Sequence, residues 1–480
     1  MRPLSFSRMN DSASRWRWLL WIAAGVLLRL ILMAFPRPGD DDTGPYLMLG
    51  DNLLHRGIYG MTGENNSVAP SLFRLPGYPV FLATMELLFA RIWQNAWMYA
   101  VFVVQALVDL AGGVLLAAFA RRYLGSRTAE AVLALAMLCP FTAAYTGIAM
   151  TESLSIFAVS LGIYATGKAL AATQAGFSDG GAVVLAGIAA ALAMLLRADG
   201  ALLFAVLAAG LFWYTARSGA AKNGWRRGMR SGLASSTLFS LIALAPLAPW
   251  TIRNWEVFHV FQPLAPRYAN DPSESPLPGY MSWTRTWLVE YVSSYDVYWQ
   301  IGANPIDIHL LPSRAFDSAE QYRETEKLLS DYNVDCQITP EIDARFGTLA
   351  KQRIDSHPLR YYVVLPLARV ADMWLRPRTE YLSEALPLRW WEWQEHPGGS
   401  LFAIFYGLLN AALLSLAVIG FLRRRVPLAA MLGGYVVLRS LTLATLQNAE
   451  PRYTLECFPI LFIAAAVVLA PGAKTGSAQP

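Results

Sequence analysis

Residues 97–120 read WMYAVFVVQALVDLAGGVLLAAFA, and this long apolar stretch decides the fold class of the chain. A helix needs roughly 20 predominantly apolar residues to cross the core of a bilayer. Lipid offers the backbone no hydrogen-bond partners, so such a stretch must be helical. Similar segments lie on both sides of it. They predict about ten spans, at residues 16–35, 97–120, 129–145, 154–171, 182–196, 201–214, 233–250, 401–421, 429–446 and 455–470.

The composition agrees with this pattern. Of the 480 residues, 55% are hydrophobic and only 15% are charged, whereas a soluble domain carries about a quarter charged residues. Two further apolar segments, 78–92 and 361–375, are predicted to be amphipathic or interfacial helices, because counting either as a span would break the charge pattern. The predicted fold class is an all-α polytopic membrane protein with roughly 10 transmembrane helices (range 9–12), extracytoplasmic juxtamembrane helices and a large outer segment.

Positive charges in short loops predict the orientation, because Lys and Arg are enriched on the cytoplasmic side. With ten spans, every basic cluster falls on one side, and both termini are cytoplasmic. The clusters are Arg2, Arg8, Arg15, Arg17, Arg121, Arg122, Arg127, Lys168, Lys222, Arg226, Arg227, Arg230, Arg423, Arg424 and Arg425. The net charge of +5 is then a topology signal, and no nucleic-acid partner is predicted. The first apolar run lacks a cleavage pattern and is predicted to remain as an anchor.

Two polar segments, residues 36–75 and 251–400, fall on the outer side. They divide the chain into an N-terminal membrane module (1–250), an extracytoplasmic region (251–400), C-terminal transmembrane helices (401–471) and a cytoplasmic tail (472–480). The outer region is rich in Trp and Tyr, which suit a membrane interface and also stacking on sugar rings. The three cysteines and five histidines have no metal-type or disulfide spacing, so they predict no metal site.

Charged residues collect at the outer ends of the predicted spans. They are Asp40, Asp41, Asp42, Arg74, Glu152, Arg197, Asp199, Arg253, Glu450 and Arg452. Each one alone is explained by a helix cap, a headgroup contact or an ion pair, such as Arg197 with Asp199. Together, at one membrane depth, they indicate a polar cavity just above the lipid. Asp109, inside the span 97–120, is predicted to make a buried hydrogen bond between helices.

The same residues carry a resemblance to a known family. In chain order they form Asp42-x-x-x-Tyr46-x-x-Leu49, Arg74-x-Pro76-Gly77-Tyr78-Pro79, Thr151-Glu152, Pro249-Trp250-x-x-Arg253-Asn254 and Glu450-x-Arg452-Tyr453. This order, which spans most of the chain, resembles the GT-C membrane glycosyltransferases. It is closest to a bacterial branch resembling protein O-mannosyltransferases and the aminoarabinose and galacturonic acid transferases that modify lipopolysaccharide. The resemblance implies a GT-C helical bundle in the cytoplasmic (inner) membrane, with a site that faces the periplasm.

The resemblance also implies catalytic residues. The family carries an acidic residue in the first outer loop, usually within Asp-Glu-x-x-Tyr, and Asp42 keeps its spacing to the tyrosine. Thr43 replaces the glutamate, so Asp41 or Asp40 is an alternative holder of the role. Glu152 matches a second acidic position of the family. The predicted catalytic residues are therefore Asp42, Asp41 and Glu152.

The binding residues follow from the same resemblance. Arg74 falls where the aminoarabinose transferases carry a lysine that contacts the donor phosphate. Arg253 and Arg452 match basic positions of the family near the lipid headgroup. The predicted donor-phosphate ligands are Arg74, Arg197, Arg253 and Arg452. The predicted substrate contacts are Tyr46, Tyr78, Glu450 and Tyr453.

The family uses a polyprenyl-phosphate sugar as donor, and these residue types suit that reaction. Guanidinium groups stabilise the charge that develops on a departing phosphate, and a carboxylate can take the proton of the acceptor hydroxyl. A single base opposite the leaving group implies inversion at the anomeric carbon. The predicted protein is an inverting glycosyltransferase, with membrane lipid around it and a glycolipid such as lipid A, a glycan or a protein as acceptor.

Two alternatives stay open. One is a transporter or flippase for an anionic lipid-linked sugar, although such proteins often show inverted repeats and broken helices near the midplane. The other is a non-catalytic envelope scaffold. No cofactor is firmly predicted. The three aspartates of the first outer loop could bind a divalent cation through oxygen ligands, but some GT-C enzymes use such a cation and others do not.

Overall fold

The computed structural model describes residues 12–34, 43–63, 65–92, 96–265, 276–383, 386–423 and 425–471. Within them the protein is almost entirely helical. The α-helices are α1 (Ser12–Met33), α2 (Thr43–Arg56), α3 (Gly77–Phe89), α4 (Trp97–Leu124), α5 (Ser126–Leu138), α6 (Pro140–Ala143), α7 (Glu152–Ala175), α8 (Gly180–Leu196), α9 (Gly200–Asn223), α10 (Trp225–Leu244), α11 (Leu247–Phe258), α12 (Pro278–Arg285), α13 (Tyr291–Asp296), α14 (Ala319–Tyr332), α15 (Pro340–Ser356), α16 (Leu365–Leu375), α17 (Pro397–Leu422), α18 (Ala429–Leu443) and α19 (Phe458–Leu469).

Short elements complete the described chain. The 3-10 helices are Ala144–Gly147, Tyr298–Gln300, Ile308–Leu310, Ser313–Ala315 and Pro451–Cys457, and Arg360–Val364 forms one π-helical turn. Among the described residues there is one two-stranded antiparallel sheet, β1 (Gly60–Thr62) with β2 (Val68–Pro70), in which Gly60 pairs with Pro70. The predicted all-α fold class is confirmed.

The predicted spans all coincide with helices, but these helices differ in length. Among the described residues, six segments are long and apolar enough to cross a membrane: α1, α4, α7, α9, α17 and Pro451–Leu469, which includes α19. Two bent pairs, α5 with the residues after it and α10 with α11, raise the number to eight. The predicted spans 182–196 and 429–446 correspond to α8 and α18, which have 17 and 15 residues. α8 stops at Arg197, because the charged end of the bundle begins there.

Contacts between the helices define which residues lie at each of the two ends of the bundle. Glu152 begins α7, and the last turn of α7 meets Lys222 at the end of α9, where the ammonium group donates to the Thr173 carbonyl at 3.4 Å. The 24 residues of α7 separate these ends by roughly 35 Å. At the Lys222 end, Thr128 at the start of α5 donates to the carbonyl of Ala470 at 2.7 Å. Among the described residues, Lys222 and Arg127, the neighbour of Thr128, therefore lie at the end of the bundle opposite Glu152.

Small residues bring the central helices into close contact. A methyl group placed on Gly167 of α7 would lie 2.5 Å from the Phe119 ring of α4, and one on Gly112 would lie 3.3 Å from Ser160. On Gly420 it would lie 2.0 Å from the carbonyl oxygen of Ala464. Such small-residue contacts let helix backbones approach closely where no hydrophobic effect drives association in lipid.

Asp109, for which a buried hydrogen bond between helices was predicted, pairs with Arg29 of α1. Both side chains are buried, and the Arg29 Nε donates to the Asp109 carboxylate at 3.0 Å, while its terminal nitrogens also reach that carboxylate and the carbonyl of Met137. A buried charge within a helical bundle is tolerated only when it is paired. The predicted helix–helix hydrogen bond is therefore present, and its partner is a charged residue.

The outer segment builds its own core. Large aromatic side chains from α12, the turn after it, α14 and α15 pack together; they include Tyr280, Trp283, Trp287, Tyr332 and Phe346. α16 follows with one buried face, Leu365, Arg369 and Met373, and exposed apolar residues on the other. This two-faced helix agrees with the amphipathic helix predicted for 361–375. The boundaries at 250 and 400 stay a prediction.

Candidate functional site

A cavity of about 970 Å³ lies at the end of the bundle where α7 and α9 begin. Its floor comes from the starts and ends of membrane helices, and its opposite wall comes from α13 and the residues after α16. The polar and aromatic lining includes Tyr46, Phe73, Arg74, Glu152, Arg197, Asp199, Tyr291, Tyr295, Tyr298, Trp299, Glu380, Tyr381, Asn448, Glu450, Arg452 and Tyr453. The sequence predicted a polar cavity at this end, and the fold forms one.

The predicted site residues fall into three groups. Those that line the cavity are Tyr46, Arg74, Glu152, Arg197, Glu450, Arg452 and Tyr453. Tyr78 and Arg253 lie beside it and do not line it. Asp41 and Asp42 lie outside the described residues, and so does Asp40. Thr43, the first described residue of α2, donates to the carbonyl of Ala149 at 3.4 Å, so the described part of the first loop begins close to Glu152.

Arg197 lies at the centre of the cavity floor. Its guanidinium contacts the carboxylates of Asp199 at 3.2 Å, Glu152 at 3.3 Å and Glu456 at 3.2 Å. The ion pair with Asp199 is the one anticipated from the sequence. A second guanidinium, from Arg439 of α18, contacts Asp199 at 3.0 Å and Glu456 at 2.7 Å. We call these five residues the buried ion network.

The two arginines of the buried ion network hold Asp199 in the charged form. Burial would raise the pKa of the Asp199 carboxyl, but the guanidinium groups of Arg197 and Arg439 outweigh burial and keep that pKa well below its usual range. Asp199 is therefore ionised throughout the physiological pH range. A floor with fixed charges of both signs is a preorganised electrostatic environment.

Arg452 forms a second charged group beside this network. It pairs with Glu450, and its guanidinium lies 3.9 Å from the Glu152 carboxylate. Glu450 also accepts hydrogen bonds from Tyr453 and, at 2.9 Å, from Asn448. The guanidinium carbon lies 5.4 Å from the ring centre of Tyr453, within cation–π range. Glu152 thus lies between Arg197 and Arg452, at a place where an anion or an acceptor hydroxyl would meet both.

Arg74 reaches the cavity from the first outer loop. Its guanidinium lies 4.2 Å from the ring centre of Phe73 and 5.5 Å from that of Tyr46. Its backbone carbonyl accepts a hydrogen bond from Tyr59 at 2.9 Å. Aromatic rings below and a fixed backbone hold the charged group at the cavity rim, where a phosphate could be bound.

Arg253 and Tyr78 support the lining from behind. Arg253 donates to the backbone carbonyls of Ser71 at 3.0 Å and Tyr59 at 2.6 Å, and so ties α11 to the loop that carries Arg74. Tyr78 is buried and donates to the side chain of Gln105 at 2.7 Å. The phosphate role of Arg253 and the substrate role of Tyr78 remain predictions, and in this structure both side chains contact protein groups.

Sequence reasoning missed several lining and network residues. Arg439 and Glu456 lie within segments predicted as spans, and a charge inside an apolar span is the signal that could have found them. The aromatic wall, which consists of Tyr291, Tyr295, Tyr298 and Trp299, lies in the outer region, whose aromatic residues suited either a membrane interface or stacking on sugar rings. Tyr295 is exposed toward the cavity, and Trp299 packs edge-to-face on Tyr291 at 5.6 Å.

The aromatic wall is joined to α16 through Asp372. Its carboxylate accepts a hydrogen bond from the backbone amide of Tyr291 at 3.2 Å and lies 4.0 Å from Arg376. Burial raises the pKa of the Asp372 carboxyl to about 6, above the unfolded value of about 3.9. Between these values the folded protein binds more protons, so its stability falls as pH rises and then levels off.

We expect Asp372→Asn to remove this dependence, because asparagine keeps an acceptor for Tyr291 but does not ionise. The melting temperatures of both proteins are measured between pH ~4 and ~7. As pH rises, the free energy of unfolding of the variant should increase relative to that of wild type, by on the order of 2 kcal/mol over the whole range. A constant difference between the two proteins would contradict this role of Asp372.

Metal donors gather outside the cavity. Each carboxylate of the floor faces an arginine, as described above. Among the described residues one group of three His, Asp or Glu side chains has its donor atoms close together, namely Asp51, His55 and Glu86. Asp51 and His55 lie one turn apart on α2, and Glu86 comes from α3, so no short sequence spacing indicated the group.

Comparisons with known proteins give matches of structure only. No protein-family model and no curated protein sequence matches the chain. It is similar to the Archaeoglobus fulgidus oligosaccharyltransferase tethered with an acceptor peptide, at 12% identity and a TM-score of 0.51, over 96% of this chain and 50% of that one. It is equally similar to the oligosaccharyltransferase AglB of that organism in complex with an inhibitory peptide and a dolichol-phosphate, at 12% identity and a TM-score of 0.51, over 95% and 50%.

A further match is ArnT from Cupriavidus metallidurans bound to undecaprenyl phosphate, at 15% identity and a TM-score of 0.35, over 95% of this chain and 78% of ArnT. The chain spans about half the length of the oligosaccharyltransferase that it matches. That match extends along nearly the whole chain and shows that the two proteins share a fold, which is the kind of fold that the resemblance implied.

Proposed function

We propose that this protein, an integral membrane protein with a GT-C fold, is a glycosyltransferase that moves a sugar from a polyprenyl-phosphate donor to a hydroxyl acceptor. The observation that supports the proposal most directly is the cavity that Arg74 lines together with Arg197 and Arg452, the two arginines that contact the Glu152 carboxylate. We place this cavity at the outer face of the cytoplasmic membrane, because the described basic residues near Arg127 and Lys222 lie at the opposite end of the bundle.

The arginines would bind the phosphate of the donor. When the sugar–phosphate bond breaks, negative charge develops on the phosphate oxygens, and fixed cations at that place lower the barrier. A guanidinium stays charged and presents a planar pair of donors that matches a phosphate. Arg74 at the rim and Arg452 in the floor approach the cavity from different elements, so a phosphate between them would be held on two sides.

A carboxylate would accept the proton of the acceptor hydroxyl. We assign this role to Asp42, with Asp41 as the alternative, and give Glu152 the role of orienting the acceptor or the base. Thr43 contacts the segment that leads to Glu152, which supports a base in the first loop. Attack from the face opposite the phosphate gives inversion at the anomeric carbon.

The sugar would lie against the aromatic wall. Sugar rings present apolar C–H faces that pack on aromatic rings, and tyrosine hydroxyls with Asn448 can bond to sugar hydroxyls. The acceptor is a hydroxyl of a glycolipid such as lipid A, of a glycan or of a protein. The aromatic wall can pack against the sugar of the donor and equally against the sugar of a glycan acceptor.

Arg74→Ala is expected to raise the donor concentration that gives half-maximal rate by roughly 10- to 100-fold, because a hydrogen bond to a charged group contributes about 1.5–3 kcal/mol. Initial rates are measured against donor concentration in detergent. The matched control is Arg56→Ala, which removes an exposed arginine of the same loop that bonds to Asn66 outside the cavity. Unchanged donor dependence in the Arg74 variant would count against the phosphate clamp.

The function itself is tested by mass spectrometry of envelope glycolipids and glycoproteins from cells with and without the gene. We expect one sugar to disappear from one class of molecule and to return with the wild-type gene but not with Asp42→Asn. Restoration by that variant would indicate transport or a scaffold role. No change anywhere would also contradict the transferase.

A further inference from the structure

α2 and α3 lie closely side by side at the edge of the cavity. Gly50 permits this approach, since a methyl group there would lie 3.0 Å from the carbonyl oxygen of Pro79. On the lining side, Tyr46 packs edge-to-face on Tyr78 at 5.2 Å. On the other flank, one turn of α2 presents two side chains toward α3. The two helices therefore form a fixed frame for whatever groups meet on that flank.

Three donor atoms meet there. The His55 Nε2 lies 2.9 Å from the Glu86 Oε1 and 3.6 Å from the Asp51 Oδ1, and the three donor atoms all lie within 4.8 Å of one another. Zinc bonds to histidine nitrogen and carboxylate oxygen at about 2.0–2.2 Å in a tetrahedron, which puts two donors on one ion roughly 3.4 Å apart. Small side-chain rotations would bring these three groups to that spacing.

We propose that Asp51, His55 and Glu86 form a binding site for a divalent transition-metal ion, with zinc as the best fit, that fastens α2 to α3. One imidazole with two carboxylates suits zinc and its neighbours in the series, whereas Ca²⁺ and Mg²⁺ prefer shells made of oxygen alone. Water would complete the tetrahedron, because Asp51 and His55 are each 56% exposed.

This site is separate from the proposed transfer chemistry. None of its three residues lines the cavity, and the site does not include Asp41 or Asp42, the aspartates proposed for catalysis. The ion would act on the cavity through α2, which carries Tyr46, and α3, which carries Tyr78. The ion would hold the two helices together. The proposal of this metal site does not depend on the proposed glycosyltransferase function.

The test is calorimetric titration of the full-length protein in detergent with Zn²⁺ alone. The affinity tag is removed, and the partly exposed Cys336 is replaced by serine so that no accessible thiol competes. We expect one saturable zinc site per chain and a rise in melting temperature on zinc addition. His55→Ala and Glu86→Gln should each weaken binding by at least about tenfold, since even residues outside the ligand shell contribute about 10- to 100-fold to metal affinity. Mg²⁺ should not compete.

His309→Ala is the matched control. His309 is also exposed and lies two residues from an aspartate, but that aspartate caps its own 3-10 turn by accepting from the His309 backbone amide. This variant should bind zinc as wild type does. Asp51→Asn, at an exposed position that should leave folding intact, provides a second variant if either of the others unfolds. Absence of saturable binding would overturn the site, and so would an equal loss in His55→Ala and His309→Ala.

Discussion

Asp42→Asn is expected to lower sugar transfer by about 10²- to 10⁴-fold, the range that a positioned general base contributes. Asparagine has nearly the same shape but cannot take a proton from the acceptor hydroxyl. Binding of the donor should change little, because in the proposed mechanism the arginines bind its phosphate. The measurement is the initial rate at saturating donor and acceptor, together with the melting temperature, which should remain near that of wild type.

The neighbouring aspartates provide the controls. Asp40→Asn and Asp41→Asn each remove one negative charge from the same segment as Asp42→Asn does. Comparing the three variants shows which aspartate the reaction requires. We expect the large loss only in the Asp42 variant, because its spacing to Tyr46 matches the family pattern. A comparable loss in Asp41→Asn alone would move the base to that position, and near wild-type rates in the Asp42 variant would refute its assignment.

Arg439→Leu is expected to reduce the free energy of unfolding by about 3–5 kcal/mol, the cost of removing one partner from a buried ion pair. Arg439 is 1% exposed and holds Asp199 and Glu456, and its Nε donates to the carbonyl of Tyr453 at 2.7 Å. Without it, Arg197 would face both carboxylates alone. Thermal unfolding in detergent should show a lower midpoint, and transfer should fall because Arg197 and Tyr453 lose their positions.

Two variants separate this effect from a general response to lost charge. Arg226→Leu removes an exposed arginine at the start of α10, at the opposite end of the bundle, and should hardly change stability. The double variant Arg439→Leu with Glu456→Leu removes a buried pair together, which often restores stability because no charge is left unpaired. Equal destabilisation by Arg439→Leu and Arg226→Leu would contradict the buried ion network.

Helices were predictable from the sequence because their apolar length alone specifies them in lipid. The segment 97–120 becomes α4 with nearly the predicted bounds. The number of membrane spans was less predictable, since α8 is shorter than a full span and α11 bends by 46° from α10. Hydropathy averages over such breaks, and packing against neighbouring helices decides where each one falls.

The site was predictable in its location and only partly in its contacts. Charges at helix ends had to gather at one end of the bundle, so Glu152, Arg197 and Arg452 meet as predicted. The contacts that these charged residues make depend on how distant helices pack together, and a local sequence pattern does not predict that packing. Arg439 contacts Asp199 across 240 residues, and Arg253, placed by motif near a phosphate, bonds to backbone carbonyls. Sequence position indicates depth in the membrane, but tertiary packing assigns the partners.

The close helix contacts at Gly112, Gly167 and Gly420 have a mechanical consequence. At Gly167 and Gly420 a single methyl group would already collide with a ring or a carbonyl, so the two helices of each pair cannot move closer together, and separating them would lose dense contacts in lipid. These contacts therefore fix the spacing of α4 with α7 and of α17 with α19. If the protein binds the lipid-linked donor proposed above, we expect any widening that admits it to come from the loops and the outer helices and not from these packed pairs.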